Sequence, residues 1–354
     1  MAQLPRRPWP AAVAVSGGAD SLALAWLLAR WAMRAGLEAP IVLTVDHGLS
    51  PGSENVAQQV VELASAWQLT AHVLSWRGVK PATNLEAAAR AARYHLLGTW
   101  CRRHGIAGLY VGHTLEDQAE TVLLRLGRGS GVDGLCAMAG VSAFPLPGFS
   151  GLSVVRPLLS HPRTALRALL GAQNIAWHED PMNEDPRFCR VRLRKAWPAL
   201  IEAGLAPERL ALAAHHLSRA RAALQSATET FLSRHCSGCD EGLQFDRDAF
   251  VALPQEIGLR VLSAVLMQVS GRTYRPRFRR LVPLYNSICS GELGAGRTLL
   301  GCRLSPVPRA RQRFGAASLW VRGEAPRRRH ETVPAGVMEN GASEGGSSRS
   351  DMGD

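Results

Sequence analysis

Short apolar runs alternate with longer amphipathic segments along the first half of the chain. The apolar runs cover residues 11–15, 40–45, 70–75 and 106–111, and helical periodicity covers 20–35, 53–68, 84–104 and 115–127. Runs that are apolar almost throughout are typical of strands buried on both faces of a parallel sheet. The alternation therefore predicts an α/β fold, in which helices cover both faces of a doubly wound parallel sheet.

The pattern changes in the second half of the chain. Val154-Val155 predicts one more strand and residues 162–171 predict a helix, after which a polar, arginine-rich connector runs to about residue 200. Residues 207–232 have the composition of one long helix, and 245–325 that of a small α-rich domain with a few strands near its end. From residue 326 onward there is no apolar periodicity, which is typical of disorder. We therefore expect three regions, at 1–200, 201–325 and 326–354.

The chain is strongly basic. Its 354 residues include 41 Lys and Arg against 29 Asp and Glu, which gives a formal net charge of +12. Such an excess favours a polyanionic partner, most simply nucleic acid, because basic side chains neutralise phosphates and release counterions. The alternative is a general compositional preference for arginine. Such a preference explains why Arg is used in place of Lys, but it does not readily explain why basic residues outnumber acidic ones.

The cysteines and the hydropathy indicate a cellular compartment. Seven cysteines occur at irregular spacing, and the sequence shows no signal peptide and no apolar stretch of about 20 residues. We therefore expect a protein of the reducing cytoplasm with no membrane segment. Cys236-Ser237-Gly238-Cys239 resembles half of a zinc or redox site, but no second pair supplies the missing ligands, so these cysteines are interpreted as ordinary thiols.

The first apolar run ends in Ser16-Gly17-Gly18-Ala19-Asp20-Ser21, where a helix is predicted to begin. Adjacent glycines allow a tight turn and bring backbone N–H groups close to an anion. The start of the helix directs its dipole and its free N–H donors to the same point. Because Ser16 and Ser21 add hydroxyl donors, the segment predicts a pyrophosphate cradle. The alternative is a plain strand-to-helix turn in which Asp20 or Ser21 is the N-cap.

Polar residues follow two other predicted strands. Asp46 and His47 close the second strand, and His113 follows the fourth, directly after Gly112. Ligands of doubly wound sheets bind at the carboxyl ends of the strands, so we expect these side chains near the same nucleotide. A lone histidine is usually structural, and a contact with adenine or ribose is the other interpretation.

Two acidic residues lie at helical spacing. Asp117 and Glu120 are three residues apart on one predicted helix, so both carboxylates can face the same cleft. Thr114 and Asp117 also have the spacing of a capping box, which would give Asp117 a structural role but leaves Glu120 unexplained.

Arginines form three further groups. Arg90 and Arg93 share a helix face and can grip phosphate or carboxylate, the alternative being a solvated face on which Glu86 pairs with Arg90. The other two groups lie in the connector and in the second domain. Each is either a contact for a ligand or nucleic acid or a solvated charge run: Arg190, Arg192 and Arg194, and Arg275, Arg277, Arg279 and Arg280 around Phe278.

The order of these segments resembles the tRNA(Ile)-lysidine synthetase family, a branch of the PP-loop ATP pyrophosphatases. The resemblance covers about residues 11–200, whereas residues 207–325 resemble the family only loosely. The segments that carry it are Ser16–Ser21, Asp46–Leu49, Asn84–Tyr94, Gly112–Thr121, Arg128–Gly131, Arg156–Leu159 and Asp180–Asn183, together with Arg190 and Arg192.

The resemblance implies a two-step ligase that uses ATP and Mg²⁺. ATP adenylates the C2 oxygen of the wobble cytidine in tRNA(Ile) with a CAU anticodon, and the amine of free L-lysine then displaces AMP to form lysidine. Residues 1–200 would form the PP-loop ATP-binding catalytic domain and residues 201–325 a tRNA-binding domain.

The resemblance also implies roles for individual residues. ATP would be held by the Ser16–Ser21 loop with Asp46, His47 and His113, and Asp20 would help to hold Mg²⁺. Catalysis and lysine binding fall to Asp20, Asp117, Glu120, Arg90, Arg93, Arg190 and Arg192. Contact with tRNA falls to Arg275, Arg277, Arg279 and Arg280.

Two other functions stay open. A PP-loop tRNA thiolase of the 2-thiocytidine or 2-thiouridine type also activates a base with ATP, but it generally uses a cysteine pair inside its catalytic domain. That region has only the scattered Cys101, Cys136 and Cys189. The second alternative is a non-catalytic tRNA-binding protein that keeps a relic loop. The sequence leaves the oligomeric state open, a homodimer included.

Overall fold

The computed structural model describes most of the chain and divides it into two compact units. The described residues are 7–49, 52–78, 80–81, 83–179, 189–239, 242–272, 274–314 and 317–324. The boundary between the units falls after Ser226, within a long helix. The predicted domain limits at 200 and 325 and the functions given to these regions stay predictions, and the predicted tail lies outside the described residues.

The first unit is built on a six-stranded sheet. Its strands are β1 (Ala11–Ala14), β2 (Ile41–Asp46), β3 (Ala71–Ser75), β4 (Gly108–Val111), β5 (Val141–Ala143) and β6 (Ser153–Val155). They lie in the order β3-β2-β1-β4-β6-β5, and every neighbouring pair is parallel except β5 and β6. The predicted doubly wound parallel sheet is therefore confirmed. The short β5, which has only three residues, has no predicted counterpart.

Helices cover both faces of this sheet, as the alternating pattern predicts. The helices of this part of the chain are α1 (Ala19–Arg34), α2 (Ser53–Ala66), α3 (Leu85–Arg103), α4 (Leu115–Leu126), α5 (Val132–Leu135), α6 (Arg163–Ala172), α7 (Cys189–Lys195), α8 (Trp197–Glu202) and α9 (Pro207–His235), the last of which crosses the boundary between the units. Val13 and Val42 belong to the hydrophobic core under α1, α2 and α6. Ala12 and Leu43, their neighbours on the same two strands, belong to the core on the opposite face under α3. Side chains that alternate between two buried faces explain why both strands are continuously apolar.

The strand order creates a switch point between β1 and β4. From β1 the chain moves to β2 and β3 on one side, and it then returns to form β4 on the other side of β1. At such a point the loops after the two strands diverge and leave a crevice at their carboxyl ends. The Ser16–Ser21 loop follows β1, and His113 follows β4.

The second unit contains an antiparallel sheet and three helices. The strands are β7 (Cys236–Cys239), β8 (Gly242–Asp246), β9 (Arg297–Leu299), β10 (Cys302–Pro306) and β11 (Ser318–Gly323), in the order β7-β8-β11-β10-β9. The helices are α10 (Arg247–Val251), α11 (Gln255–Ser270) and α12 (Phe278–Cys289). Three of the strands lie near the end of this region as expected, whereas the β7–β8 hairpin has no predicted counterpart.

The Cys236–Cys239 segment is one strand of that hairpin, paired with β8. Residues three apart on a strand point to opposite faces of the sheet, so the geometry does not bring the two sulfurs to one metal ion. Burial raises the pKa of the Cys236 thiol to about 12. Among the described residues, no group of three or more His, Cys, Asp or Glu side chains could hold a metal ion. No helix in the described ranges is long and apolar enough to cross a membrane.

Gly112, directly after β4, allows the close approach that the switch point requires. A Cβ at this position would lie 2.9 Å from the carbonyl oxygen of Asp20 and 3.1 Å from Cα of Ser21. We expect Gly112→Ala to lower the free energy of unfolding by about 1–3 kcal/mol, because backbone atoms of α1 have to move. Denaturant unfolding monitored by circular dichroism measures this difference.

The control for this substitution is Gly171→Ala. Gly171 is exposed in α6, and a Cβ there would meet nothing within 4 Å. Since alanine has the better helix propensity, the control should raise the free energy of unfolding by up to about 1 kcal/mol. If Gly112→Ala were as stable as the unsubstituted chain, the close approach would not be a constraint.

Candidate active site

The Ser16–Ser21 loop is held in shape by its own hydrogen bonds. The hydroxyl of Ser21 accepts a hydrogen bond from the backbone N–H of Ser16 at 3.1 Å and donates one to the carbonyl of Gly18 at 2.9 Å. Gly17 has φ of +84°, which favours glycine, and a Cβ there would lie 2.6 Å from Cγ1 of Val56 in α2. Two features therefore require glycine at position 17: the positive φ angle and the lack of space for a Cβ atom.

The helix after the loop begins without a side-chain cap. Gly18 is the N-cap of α1, and no side chain makes a capping hydrogen bond there. The alternative in which Asp20 or Ser21 serves as N-cap is therefore wrong for this structure. The first backbone N–H groups of a helix have no partner within the helix, and here they open toward the switch point.

Asp46 and His47 lie at the end of β2. The carboxylate of Asp46 accepts a hydrogen bond from the backbone N–H of Gly48 at 2.9 Å, so it shapes its own turn. Burial, followed by the charge of Arg93, lowers the pKa of His47. Its Nδ1 is buried and has no hydrogen-bond partner among the described residues.

His113 is a half-buried, neutral imidazole next to β4. Burial lowers its pKa to about 4; nearby Asp117 acts against this shift, and the charges of Arg156, Arg90 and Arg190 add to it. Its Nδ1 is also buried without a partner among the described residues. At neutral pH this side chain can therefore donate or accept a hydrogen bond without adding positive charge.

Asp117 forms the predicted capping box and also an ion pair, while its role as a site residue stays a prediction. Its Oδ2 accepts hydrogen bonds from the backbone N–H of Thr114 at 2.9 Å and from its hydroxyl at 3.1 Å, which makes it part of a capping box at the start of α4. Its Oδ1 lies 2.6 Å from Nη2 of Arg163. Burial raises the pKa of Asp117, but Arg163 and the Thr114 hydrogen bond outweigh it, so the pKa lies below its usual value.

Glu120 lies fully buried one helical turn further along α4, with a side chain 0% exposed. Its Oε1 pairs with Nε of Arg194 at 2.8 Å and with Nη1 of Arg163 at 3.4 Å. Its Oε2 is buried and has no hydrogen-bond partner among the described residues. A buried carboxylate oxygen is costly to leave unpaired, so this atom is a place for a further donor.

Arg163 is the residue at the centre of the site, and sequence reasoning missed it. Its guanidinium contacts Asp20, Asp117 and Glu120, with Nε 3.3 Å from Oδ2 of Asp20. Its backbone N–H donates to both carboxylate oxygens of Glu116, at 2.9 and 3.1 Å. One signal was available: an arginine in the first turn of a predicted helix opposes the helix dipole and calls for an explanation. Asp20, Glu116, Asp117 and Glu120 are called the carboxylate cluster below.

The connector arginines divide according to the helix they form. Arg190 and Arg194 are four residues apart in α7 and so share a face, whereas Arg192 lies between them and is exposed. Arg194 pairs with Glu120, and the charge of Arg190 acts on His113 and Asp117. The structure thus brings Arg190 to the site together with Arg194, a member of the connector group to which the resemblance gives no role.

Opposite the carboxylate cluster lies a group of basic side chains around Tyr94 and His113. The guanidinium of Arg90 lies 5.0 Å from the centre of the Tyr94 ring. Burial, together with the charges of Arg90 and Arg190, lowers the pKa of Arg93, whereas Tyr94 acts against this shift. Arg156 binds the Ala139 carbonyl at 2.9 Å, and its buried Nε has no partner among the described residues. We call Arg90, Arg93, Arg156 and Arg190 the arginine group.

The second unit carries the remaining predicted residues on its surface. Arg275, Arg277, Arg279 and Arg280 are all exposed around the start of α12. Tyr274 and Phe278, interleaved with them, are 83% and 61% exposed. Arg280 and Arg297 also line a cavity of about 290 Å³. Exposed aromatic rings among arginines are suited to stacking on bases and to phosphate contacts.

A glycine loop between β1 and α1 at a sheet switch point, with carboxylates and arginines around it, defines a PP-loop protein. The family model for the PP-loop domain matches residues 4–200. A tRNA(Ile)-lysidine synthase of Bradyrhizobium sp. strain BTAi1 is 45% identical over 267 residues, which are 73% of this chain and 73% of the relative. The synthase of Methylobacterium nodulans is 40% identical over 89% of this chain and 91% of its own length. That of Wolbachia pipientis wMel is 36% identical over 83% and 67%, respectively.

This chain therefore belongs to the tRNA(Ile)-lysidine synthase family. The resemblance drawn from the sequence motifs is confirmed, and it extends beyond the first unit, since the Methylobacterium relative aligns over 320 residues.

The half-buried His113 predicts a loss of stability in acid. Its folded pKa of about 4 lies below the ordinary value of 6.5, so the unfolded chain binds a proton first as the pH falls. The contribution of neutral His113 is complete above pH 6.5 and is lost between 6.5 and 4. We expect His113→Asn to flatten the fall in unfolding free energy across this window, as measured by urea unfolding at a series of pH values. His216→Asn, at an exposed position of α9, is the matched control.

Proposed function

We propose that this chain ligates L-lysine to C2 of the wobble cytidine of tRNA(Ile) bearing a CAU anticodon, in an ATP-dependent reaction that releases AMP and pyrophosphate. The observation that carries the proposal is Glu120, whose side chain is 0% exposed and whose Oε2 is buried without a partner among the described residues. This oxygen belongs to the same carboxylate cluster as Asp20 of the glycine loop, and it is suited to an incoming ammonium group. Membership of the tRNA(Ile)-lysidine synthase family supports the substrate assignment.

The first step is adenylation of the tRNA. The C2 oxygen of the cytidine forms a bond with the α-phosphorus of ATP, and the bond to the bridging oxygen of pyrophosphate breaks. We assign the pyrophosphate to the Ser16–Ser21 loop and the first turn of α1, whose N–H groups favour negative charge. The arginine group supplies further positive potential. Asp46, His47 and His113 are proposed contacts of the nucleoside, with neutral His113 acting as a hydrogen-bonding group.

The donor set of the loop fits a Mg²⁺ ion. Arg163 contacts Oδ2 of Asp20, whereas Oδ1 has no partner among the described residues. Mg²⁺ is usually held by one or two carboxylates together with substrate phosphates. The available Oδ1 of Asp20 fits this mode of coordination. We therefore propose Asp20 as the protein ligand. The ion, when bound, would neutralise charge on the departing pyrophosphate.

The second step uses lysine as a nucleophile. Its ε-ammonium has to lose a proton, and we propose that it binds Oε2 of Glu120 beside Asp117, with this carboxylate pair accepting the proton. The neutral nitrogen then forms a bond with C2 as the C2–O bond breaks, and AMP leaves with the oxygen. Arg90, Arg93, Arg190 and Arg192 are proposed partners of the lysine carboxylate.

Two features bear on the alternatives. The family assignment favours lysidine formation over tRNA thiolation. Cys101 lies in the hydrophobic core under α3, and burial raises its pKa to about 12, so it is unsuited to sulfur transfer. We further propose a cytoplasmic location, since ATP, lysine and tRNA meet there. The homodimer stays a prediction, which sedimentation equilibrium would test.

The decisive experiment measures lysine incorporation. The purified chain is incubated with ATP, Mg²⁺, radiolabelled lysine and tRNA(Ile) transcripts that carry either CAU or a GAU anticodon. We expect one lysine per CAU transcript, with AMP and pyrophosphate formed in equal amounts, and no incorporation into the other transcript. If pyrophosphate is released but no radiolabelled lysine is incorporated into either transcript, the result would support a different PP-loop activity.

Replacing Glu120 separates the two steps. Glu120→Gln keeps the volume but removes the charge that would hold the ammonium, so we expect the KM for lysine to rise at least about tenfold, or about 1.4 kcal/mol. Pyrophosphate release with ATP and tRNA alone should persist. Glu62→Gln, an exposed residue of α2 that pairs with Gln58, is the matched control. An unchanged KM for lysine would remove Glu120 from the lysine site.

The exposed arginines around the start of α12 predict that the affinity for tRNA depends on salt concentration. Replacing Arg277, Arg279 and Arg280 with Gln should weaken tRNA binding and reduce the slope of log K against log salt by about 1 for each lost phosphate contact. Filter binding at 50–300 mM salt measures both. A second triple variant, at the exposed Arg34, Arg103 and Arg219, removes the same charge elsewhere. If the two variants lose equal slope, the residues around α12 form no specific tRNA contact.

A further inference from the structure

Arg163 occupies a position that the proposed reaction leaves without a role. It is the first residue of α6, after the N-cap Pro162, and its backbone N–H is tied to α4 through Glu116. Its side chain reaches across to carboxylates on two other helices, Asp20 on α1 and Glu120 on α4. A cation at a helix N-terminus opposes the dipole, so this arrangement is held by the carboxylates and not by α6 itself.

The guanidinium lies where a substrate cation would also bind. It contacts Oδ1 of Asp117 at 2.6 Å, and Oδ2 of the same carboxylate is engaged by the capping box. It also shares Oε1 of Glu120 with Arg194. In this state Oε2 of Glu120 is the one oxygen of the Asp117–Glu120 pair without a partner among the described residues. A lysine ammonium with three donors would compete with Arg163 for the others.

The same guanidinium is next to the place assigned to the phosphates. Its Nε contacts Asp20, in the first turn of the helix that follows the glycine loop. The side chain is 21% exposed, and its contacts to Asp20 and Glu120 are long, at 3.3 and 3.4 Å. The planar guanidinium of arginine can donate two parallel hydrogen bonds to a phosphate group. A polyphosphate beside Asp20 would therefore compete with the carboxylates for the Arg163 guanidinium.

We propose that Arg163 is a positioning residue that occupies the lysine subsite as an internal cation until a polyphosphate beside Asp20 draws its guanidinium away. The inference rests on the proposed function and adds an order of events to it. Nucleotide binding frees Asp117 and Glu120 for the ammonium, so lysine binds better after the nucleotide. Because coupling between two binding sites is reciprocal, lysine strengthens nucleotide binding by the same factor.

The test is the lysine dissociation constant with and without a nucleotide that cannot react. Equilibrium dialysis with radiolabelled lysine is carried out on the full chain, in the absence and presence of α,β-methylene-ATP and Mg²⁺. We expect the nucleotide to tighten lysine binding at least about fivefold, which is the lower end of typical coupling. Tripolyphosphate should reproduce the effect and adenosine should not, since the phosphates are what draws Arg163.

Arg163→Lys removes the fork and keeps the charge. A single ammonium cannot span Asp20, Asp117 and Glu120, so the ratio of the two lysine dissociation constants should fall to about 1. Arg167→Lys is the matched control, because Arg167 lies four residues further along α6 and makes an exposed ion pair with Glu179 at 3.0 Å. This control should keep the wild-type ratio. Thermal melting of both variants shows that the fold is retained.

The outcomes separate the inference from the function. The inference about Arg163 is overturned, and the proposed function is not, if the wild-type chain forms lysidine but binds lysine equally with and without nucleotide. This result does not depend on whether Arg163→Lys folds. The inference is also overturned if Arg163→Lys keeps the wild-type ratio of dissociation constants, or if adenosine has the same effect as tripolyphosphate. A chain that forms no lysidine and binds no lysine in any condition overturns both.

Discussion

The parallel pairing of β1 with β4 is the constraint on which the site depends. These two strands are neighbours in space although β2 and β3 lie between them in sequence, so the loops after them open side by side. One loop carries the glycines that we propose as the anion-binding turn, and the other leads into the helix that carries Asp117 and Glu120. The absence of a side chain at Gly112 lets the first turn of α1 come close enough for both to face one space. The chemistry is thus a consequence of strand order.

Burying acidic side chains at this place creates a second constraint. An unpaired buried carboxylate is costly, so the cluster exists only because arginines from α6 and α7 enter it. Both helices lie far along the chain from α4, and their arginines pair with its carboxylates. His113 is influenced by both groups: Asp117 acts to raise its pKa, whereas Arg156, Arg90 and Arg190 add to the lowering that burial causes.

The sequence predicts those parts of the fold and the site that local patterns encode. Helices α1 to α4 and α6 and most strands of the first unit follow from apolar periodicity, whereas β5, α5, α7 and α8 have no such signal. The proposed anion-binding loop follows from two glycines at the end of a strand. Asp117 was foreseen as either a cap or a site residue; the structure confirms the cap and pairs the other oxygen with Arg163, and the site role stays a prediction. Arg163 was not predicted, and Arg156 was noted only as part of a motif, because their importance comes from partners that are distant in sequence. The β7–β8 hairpin was missed for a different reason: its CSGC strand has the composition of a thiol motif and no apolar alternation.

The contact between Gly17 and Val56 has a consequence for how such a chain can vary. Val56 belongs to α2, a helix that contributes no predicted site residue, yet its methyl group fills the space beside the loop. A bulkier residue at position 56 would press against the glycine turn, whereas a smaller one would leave the loop without lateral support. Side-chain size at this position is therefore limited by the conformation of the loop. A helix that holds no predicted site residue thereby restricts which sequences can keep the turn in shape.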